Sequence, residues 1–217
     1  MKIVNTFFLL VLVFWVITPL FAKQPYVDEE TILRITKKYN IFAKRRFLYQ
    51  QNIFDKLLEA DEQKKLKEVN DFYNQVKYAK DLIVYNKKDY WATPYEFLGH
   101  DKGDCEDYVI AKYFALKYLG VNPKKLFFTY VKSRRFKAPH MVLTYFKTPK
   151  SEPLILDNIN LKIFPAHKRK DLIPIYLFNA ETLYKSRKKA RAGKKLKNTK
   201  VHKKWDELVE NIKRKKI

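Results

Sequence analysis

The stretch His100–Gly120 reads "HDKGDCEDYVIAKYFALKYLG" and holds the only cysteine of the chain, Cys105. Its spacing predicts a helix from about Cys105 to Leu119. Asp104 is a good N-cap residue, and Glu106 and Asp107 fall in the first turn, where acids suit the helix dipole. Val109, Ile110, Tyr113, Phe114 and Leu116 supply a broad apolar face. Gly120 stands where a C-terminal glycine belongs. The unpaired N–H groups of a helix start favour a thiolate, whereas three adjacent carboxylates oppose it. A cationic partner is therefore needed if this thiol is to react.

The segments on either side set the fold class. Upstream, Ile32, Ile35, Tyr39 and Phe42, then Leu66, Val69, Phe72 and Val76, recur at three- to four-residue spacing and predict helices within residues 25–80. Pro94 and Gly99 interrupt the stretch between them and Cys105. Downstream, "LFFTYVK" (126–132), "HMVLTYF" (140–146) and "PLILDNI" (153–159) are short, aromatic and branched, with turn-like segments between them. They read as successive antiparallel strands. "DLIPIYLFNAETLY" then closes the globular part. Helices followed by strands give an α+β domain.

Two kinds of partner could serve the thiol. His140 opens the second strand and shares parity with Val142, Thr144 and Phe146. From a strand end it can reach a helix start and take the thiol proton. Asp157 follows three apolar residues, a setting in which a carboxylate is normally paired, and it could orient the imidazole. Taken singly, a surface histidine, a turn-capping aspartate and a small buried cysteine are ordinary. Together they outline a thiol-protease-like constellation. The second partner is a metal ion. Asp104, Glu106 and Asp107 offer hard oxygen ligands suited to Ca²⁺, without the twelve-residue EF-hand spacing.

The ends of the chain carry their own signals. "MKIVNTFFLLVLVFWVITPLFAKQP" has the layout of a secretory signal, with a cut expected after Ala22. An uncleaved anchor is the rival reading, although the apolar run is shorter than the ~20 residues of a membrane span. Export would place a lone cysteine where it has no internal disulfide partner. The formal net charge of +23 is uneven. From Lys185 to Ile217 there are 15 Lys or Arg against Asp206, Glu207 and Glu210, so this region carries about half of the excess. It is expected to be a solvated, partly helical tail, with contact to an anionic membrane or an acidic polymer as the sharper reading. Nucleic acid is not an expected partner for an exported chain. Four glycines leave no glycine-rich phosphate loop. The expected organisation is a signal peptide over 1–22, one domain over 23–184 and a basic tail over 185–217.

"GDCEDYVIAKYFALKYLGV", "APHMVLTYF" and "PLILDNIN" closely resemble the bacterial transglutaminase-like cysteine proteases of the LapG-type periplasmic group. "VNDFYNQVKY", "DYWATPYEFL", "YVKS" and "RKDLIPIYLFNAETLY" match as well, so the resemblance covers about residues 60–184. It implies a transglutaminase-like, papain-related core. Cys105 would be the nucleophile, His140 the general base and Asp157 the orienting acid. Asp104 and Glu106 match calcium-binding positions, with Asp107 as a further ligand. The resemblance also implies a periplasmic endopeptidase that cuts a large surface adhesin near its N-terminus, so releasing it and dispersing biofilm. An inner-membrane receptor for cyclic di-GMP would hold it inactive. Two features depart from the pattern: Pro139 stands where alanine is usual, and the basic tail is long. Transglutaminase-type acyl transfer and a non-catalytic binding module carried by the tail are the alternative functions.

Overall fold

A computed structural model describes residues 23–179, 183–186, 192–196 and 199–217. The proposed signal segment 1–22 lies outside them. Three helices come first: α1 (Glu29–Lys38), α2 (Ile41–Leu57) and α3 (Glu62–Tyr73). Each starts on a side-chain cap, with Asp28, Asn40 and Asp61 accepting from the N–H groups of Thr31, Ala43 and Lys64. Strand β1 (Lys77–Tyr78) ends the region expected to be helical, because α3 stops at Tyr73, and the single-turn α4 (Asp81–Val84), α5 (Pro94–His100) and β2 (Lys102–Gly103) fill the stretch that Pro94 and Gly99 interrupt. Helix α5 starts with Pro94 and a capping box between Thr93 and Glu96, then ends on Asp101 in the left-handed region. β1 and β2 pair in parallel. Helix α6 (Cys105–Tyr118) follows at once, within a residue of its expected bounds. Gly120, at φ +88°, ends it as expected.

The sheet comprises β3 (Leu126–Ser133), β4 (Pro139–Tyr145), β5 (Leu154–Leu156), β6 (Phe164–Pro165), β7 (Leu172–Phe178), β8 (Leu183–Ser186) and β9 (Ala192–Leu196). Its order is β6-β5-β4-β3-β7-β8-β9, and every pairing is antiparallel. The three strands expected from the sequence lie side by side at its centre. Alternation divides their side chains. Phe128, Met141 and Leu143 face the main core with α6, whereas Val131, Val142 and Ile155 form a smaller cluster on the opposite face. His140 lies opposite Val131 in the ladder, at the start of β4.

Helix α6 is buried along most of its length, including Tyr108, Ile110, Ala111, Tyr113, Ala115 and Leu116. It is the central element, wrapped by α3, α5 and the sheet. Its burial fixes where Cys105, its first residue, points.

The basic C-terminal region corrects one expectation. Helix α7 (Thr199–Lys213) packs into the main core. Trp205 stacks on Phe114 with ring centroids 6.0 Å apart and meets Tyr113, Phe128 and Phe178 edge-on. Leu208 and Ile217 are buried with it. At the end of the chain the Thr93 hydroxyl donates to the Lys216 carbonyl at 2.7 Å, and the Lys216 ammonium to the Tyr90 hydroxyl at 2.7 Å. The described part of this region is therefore packed against the rest of the chain, with Lys203 and Lys213 of α7 exposed. The charge count of 185–217 concealed the one apolar face, Trp205, Leu208 and Ile212, that anchors it.

Candidate active site

Cys105 begins α6, which packs against β4, the strand that carries His140. The Cys105 thiol donates to Glu106 Oε2 at 2.7 Å. Burial, the Glu106 carboxylate and Asp104 together push the thiol well above its ordinary value. In this arrangement the sulfur is a protonated donor, held by the acid next to it.

His140 and Asp157 are brought together where β4 begins and β5 ends, and no hydrogen bond among the described residues joins either side chain to the Cys105 thiol. His140 is 5% exposed and Asp157 1%. Their contact, Nε2 to Oδ1, is 2.8 Å. An ionised carboxylate only accepts, so Nε2 carries the hydrogen and Nδ1 is left as the basic nitrogen. Burial alone would raise the Asp157 carboxyl. The hydrogen bond of His140, the N–H of Ile159 and Arg169 outweigh it and hold the carboxyl well below the usual range.

Two further residues escaped sequence reasoning. Arg169, 4% exposed, donates from Nη2 to Asp157 Oδ2 at 2.7 Å and from Nε to Asp171 at 2.9 Å. Lys112, fully enclosed on α6, donates to Asn70 and Asn74 and to the Asp157 carbonyl at 3.2 Å. Burial brings it down to about 7. A lysine inside an otherwise apolar helix run was the available signal for the second. Arg169, in a basic loop "HKRKD", gave none.

The acids beside the thiol form a cluster. Asp81, Asp104 and Asp107 bring carboxylate oxygens within 4.8 Å of one another, as do Asp104 and Glu106 with the thiol. Asp81 was not anticipated, because the β1–α4 connection delivers it from 23 residues upstream. Asp107 is fully buried; Oδ1 accepts from the Ala92 N–H at 2.9 Å and Oδ2 from the Asp104 N–H at 3.3 Å. Asp81 Oδ2 accepts from the Tyr90 N–H. Asp81 Oδ1 and Asp104 Oδ1 are buried with no hydrogen-bond partner. Burial and mutual repulsion push Asp81 up to about 6, Asp104 up to about 10 and Asp107 well above its ordinary value. Orphaned carboxylate oxygens that repel one another in a dry corner fit a hard divalent cation. Gly103 makes room for the cluster: a Cβ there would lie 2.5 Å from Asp107 Oδ2 and 2.6 Å from the Phe97 ring.

The model of the bacterial transglutaminase-like cysteine proteinases matches residues 48–171, more than half of the chain. The chain belongs to this family. Solved structures agree in fold. LapG of Legionella pneumophila in an EGTA-treated form is 38% identical, with a TM-score of 0.72 over 87% of this chain and all of that one. The calcium-bound form of the same protein is 39% identical, with a TM-score of 0.72 over 84% of this chain and 98% of that one. No curated protein matches. For a member of this proteinase family, the transglutaminase-like α+β architecture is as expected, and the described residues include no helix long and apolar enough to cross a membrane.

Proposed function

We propose that this proteinase hydrolyses a peptide bond with Cys105 as nucleophile, His140 as general base and Asp157 as the acid that orients it. The observation that carries the reading is the buried His140–Asp157 pair, with His140 on the strand that packs against α6, the helix Cys105 begins. His140 Nδ1 takes the thiol proton, and the thiolate attacks the scissile carbonyl. The free N–H of Cys105, at the start of α6, donates to the developing oxyanion. The imidazolium returns its proton to the leaving amine, and water, activated by the same imidazole, releases the acyl group.

Asp81, Asp104, Glu106 and Asp107 would hold a calcium ion, and the calcium-bound relative supports that choice of metal. When bound, the ion supplies positive charge that offsets the carboxylates around the thiol. The chain's own part is to deliver those carboxylates from the start of α4 and the start of α6.

The substrate, on this reading, is a large surface adhesin, cut near its N-terminus so that it is released and biofilm disperses. The setting is the periplasm, reached through a cleaved signal over 1–22, and the regulator is an inner-membrane receptor for cyclic di-GMP that inhibits the enzyme. All three are what the sequence resemblance to the LapG-type group implies. The exposed lysines of α7 suit contact with an anionic membrane or acidic polymer. Incubation of the purified protein with candidate adhesins, with calcium or with EGTA, tests the proposal. Calcium-dependent cleavage is expected, and cleavage indifferent to EGTA would remove the metal's role. Mass spectrometry of the products separates hydrolysis, which leaves a free carboxylate, from acyl transfer to an amine.

A further inference from the structure

We infer that Arg169 is a positioning residue for the proposed catalytic acid, fixing Asp157 so that it in turn fixes His140. The inference rests on the proposed Cys105–His140–Asp157 assignment and deepens it. Three observations carry it. First, Arg169 is a buried guanidinium whose Nη2 bridges Asp157 Oδ2 and Asp171 Oδ2 at 2.7 and 2.8 Å. Second, the two oxygens of Asp157 are divided between partners: Oδ1 takes His140 and the Ile159 N–H, and Oδ2 takes Arg169. A carboxylate held at both oxygens cannot rotate about its terminal torsion, so the direction of its bond to His140 is set. Third, Arg169 is itself anchored. Its Nε and Nη2 form a fork on Asp171, and the Asp171 carbonyl accepts from the Arg134 N–H at the end of β3. This links the acid to the sheet that carries His140.

The charged groups around Asp157 come from every neighbouring element. His140 lies on β4, Arg169 and Asp171 precede β7, and Lys112 of α6 holds the Asp157 carbonyl together with Asn74. Lys112 therefore restrains the backbone of residue 157, and Arg169 its side chain. Nη2 alone reaches both acids and Nε adds a second bond to Asp171, so an ammonium keeps the bridge and loses only the fork.

The test uses the full-length chain in calcium buffer, labelled with ¹⁵N-histidine, as Arg169→Gln and Arg169→Lys. The ring nitrogens of His140 are assigned by their loss in His140→Ala. The wild type should show a single tautomer with hydrogen on Nε2. Arg169→Gln should show a mixture, and Arg169→Lys, which keeps the charge, should recover most of the wild-type pattern. Iodoacetamide modification at neutral pH reads the same alignment through the sole cysteine, and Arg169→Gln should slow it about tenfold. A wild-type tautomer in Arg169→Gln with modification within twofold of wild type would overturn the inference. The His140→Ala control separates the two levels. If that variant is modified as fast as wild type, the catalytic assignment of His140 falls, and the positioning role falls with it. If it is slowed and Arg169→Gln is not, only the role of Arg169 falls.

Discussion

The Cys105 thiol and the Glu106 carboxylate are hydrogen-bonded at 2.7 Å, which makes the neighbour of the proposed nucleophile its restraint. A carboxylate that accepts from a thiol stabilises the protonated sulfur. Drawing Glu106 toward a cation would remove both the acceptor and its charge. Calcium should therefore speed iodoacetamide modification of Cys105 at neutral pH, and EGTA should slow it. Glu106→Gln should raise the EGTA rate by removing the charge. Equal rates in calcium and EGTA for the wild type would show that the acids do not control the thiol.

The acid cluster predicts a pH dependence of stability with a definite sign. An unfolded aspartate titrates near 4. Asp81, up to about 6, and Asp104, up to about 10, keep their protons to higher pH when folded, and Asp107 shifts in the same direction. Raised acids weaken the fold as pH climbs from the unfolded value toward the folded one. Lys112, brought down to about 7, acts only above that pH and with the opposite sign. In EGTA, the Tm should accordingly fall between pH 5 and pH 7, and calcium should flatten that slope. Thermal melts across this range in both buffers check it.

Asp81 is the donor that separates the cluster seen in the structure from the one expected in the sequence. Asp81→Asn should raise the Tm of the metal-free protein, because it removes one of the repelling carboxylates. It should also shrink the stabilisation on adding calcium, which with the ion at 100 times its Kd is about 2.7 kcal/mol. A full calcium response in Asp81→Asn would place the ion elsewhere.

Asp157 works in the opposite sense. Its carboxyl is depressed in the folded state, so its contribution is present above about pH 4 and is lost as pH falls through that region. Asp157→Ala would strand the buried Arg169 and remove the partner of His140. It should cost about 3–5 kcal/mol in denaturant unfolding at neutral pH, and the loss should be smaller in Asp157→Asn.

Trp205→Ala tests whether the basic C-terminal region is part of the domain. The indole is 8% exposed and touches four rings of the core. Its removal should cost about 3–5 kcal/mol. A variant as stable as wild type would return this region to the status of a tail.

Much of the fold could be read from local pattern. Helix α6 carried its own N-cap, apolar face and terminal glycine, and the three central strands were marked by branched and aromatic runs between turns. His140 and Asp157 were legible because polar residues in apolar strand contexts need partners. Asp81 and Arg169 were not, because each reaches the site through a connection whose path depends on tertiary pairing: β1 with β2 for Asp81, and the loop before β7 for Arg169. Helix α7 was misjudged for a different reason. Fifteen basic residues dominate the composition of 185–217, while burial is decided by a few apolar positions on one face.

The most direct measurement is cleavage of a candidate surface adhesin by wild type and by Cys105→Ala, side by side in calcium, with the new termini sequenced. Cleavage at one bond near the adhesin's N-terminus by the wild type, and none by Cys105→Ala, is the predicted result. Cleavage by Cys105→Ala at the wild-type rate would contradict the assignment of the nucleophile and, with it, the proposed chemistry of the site.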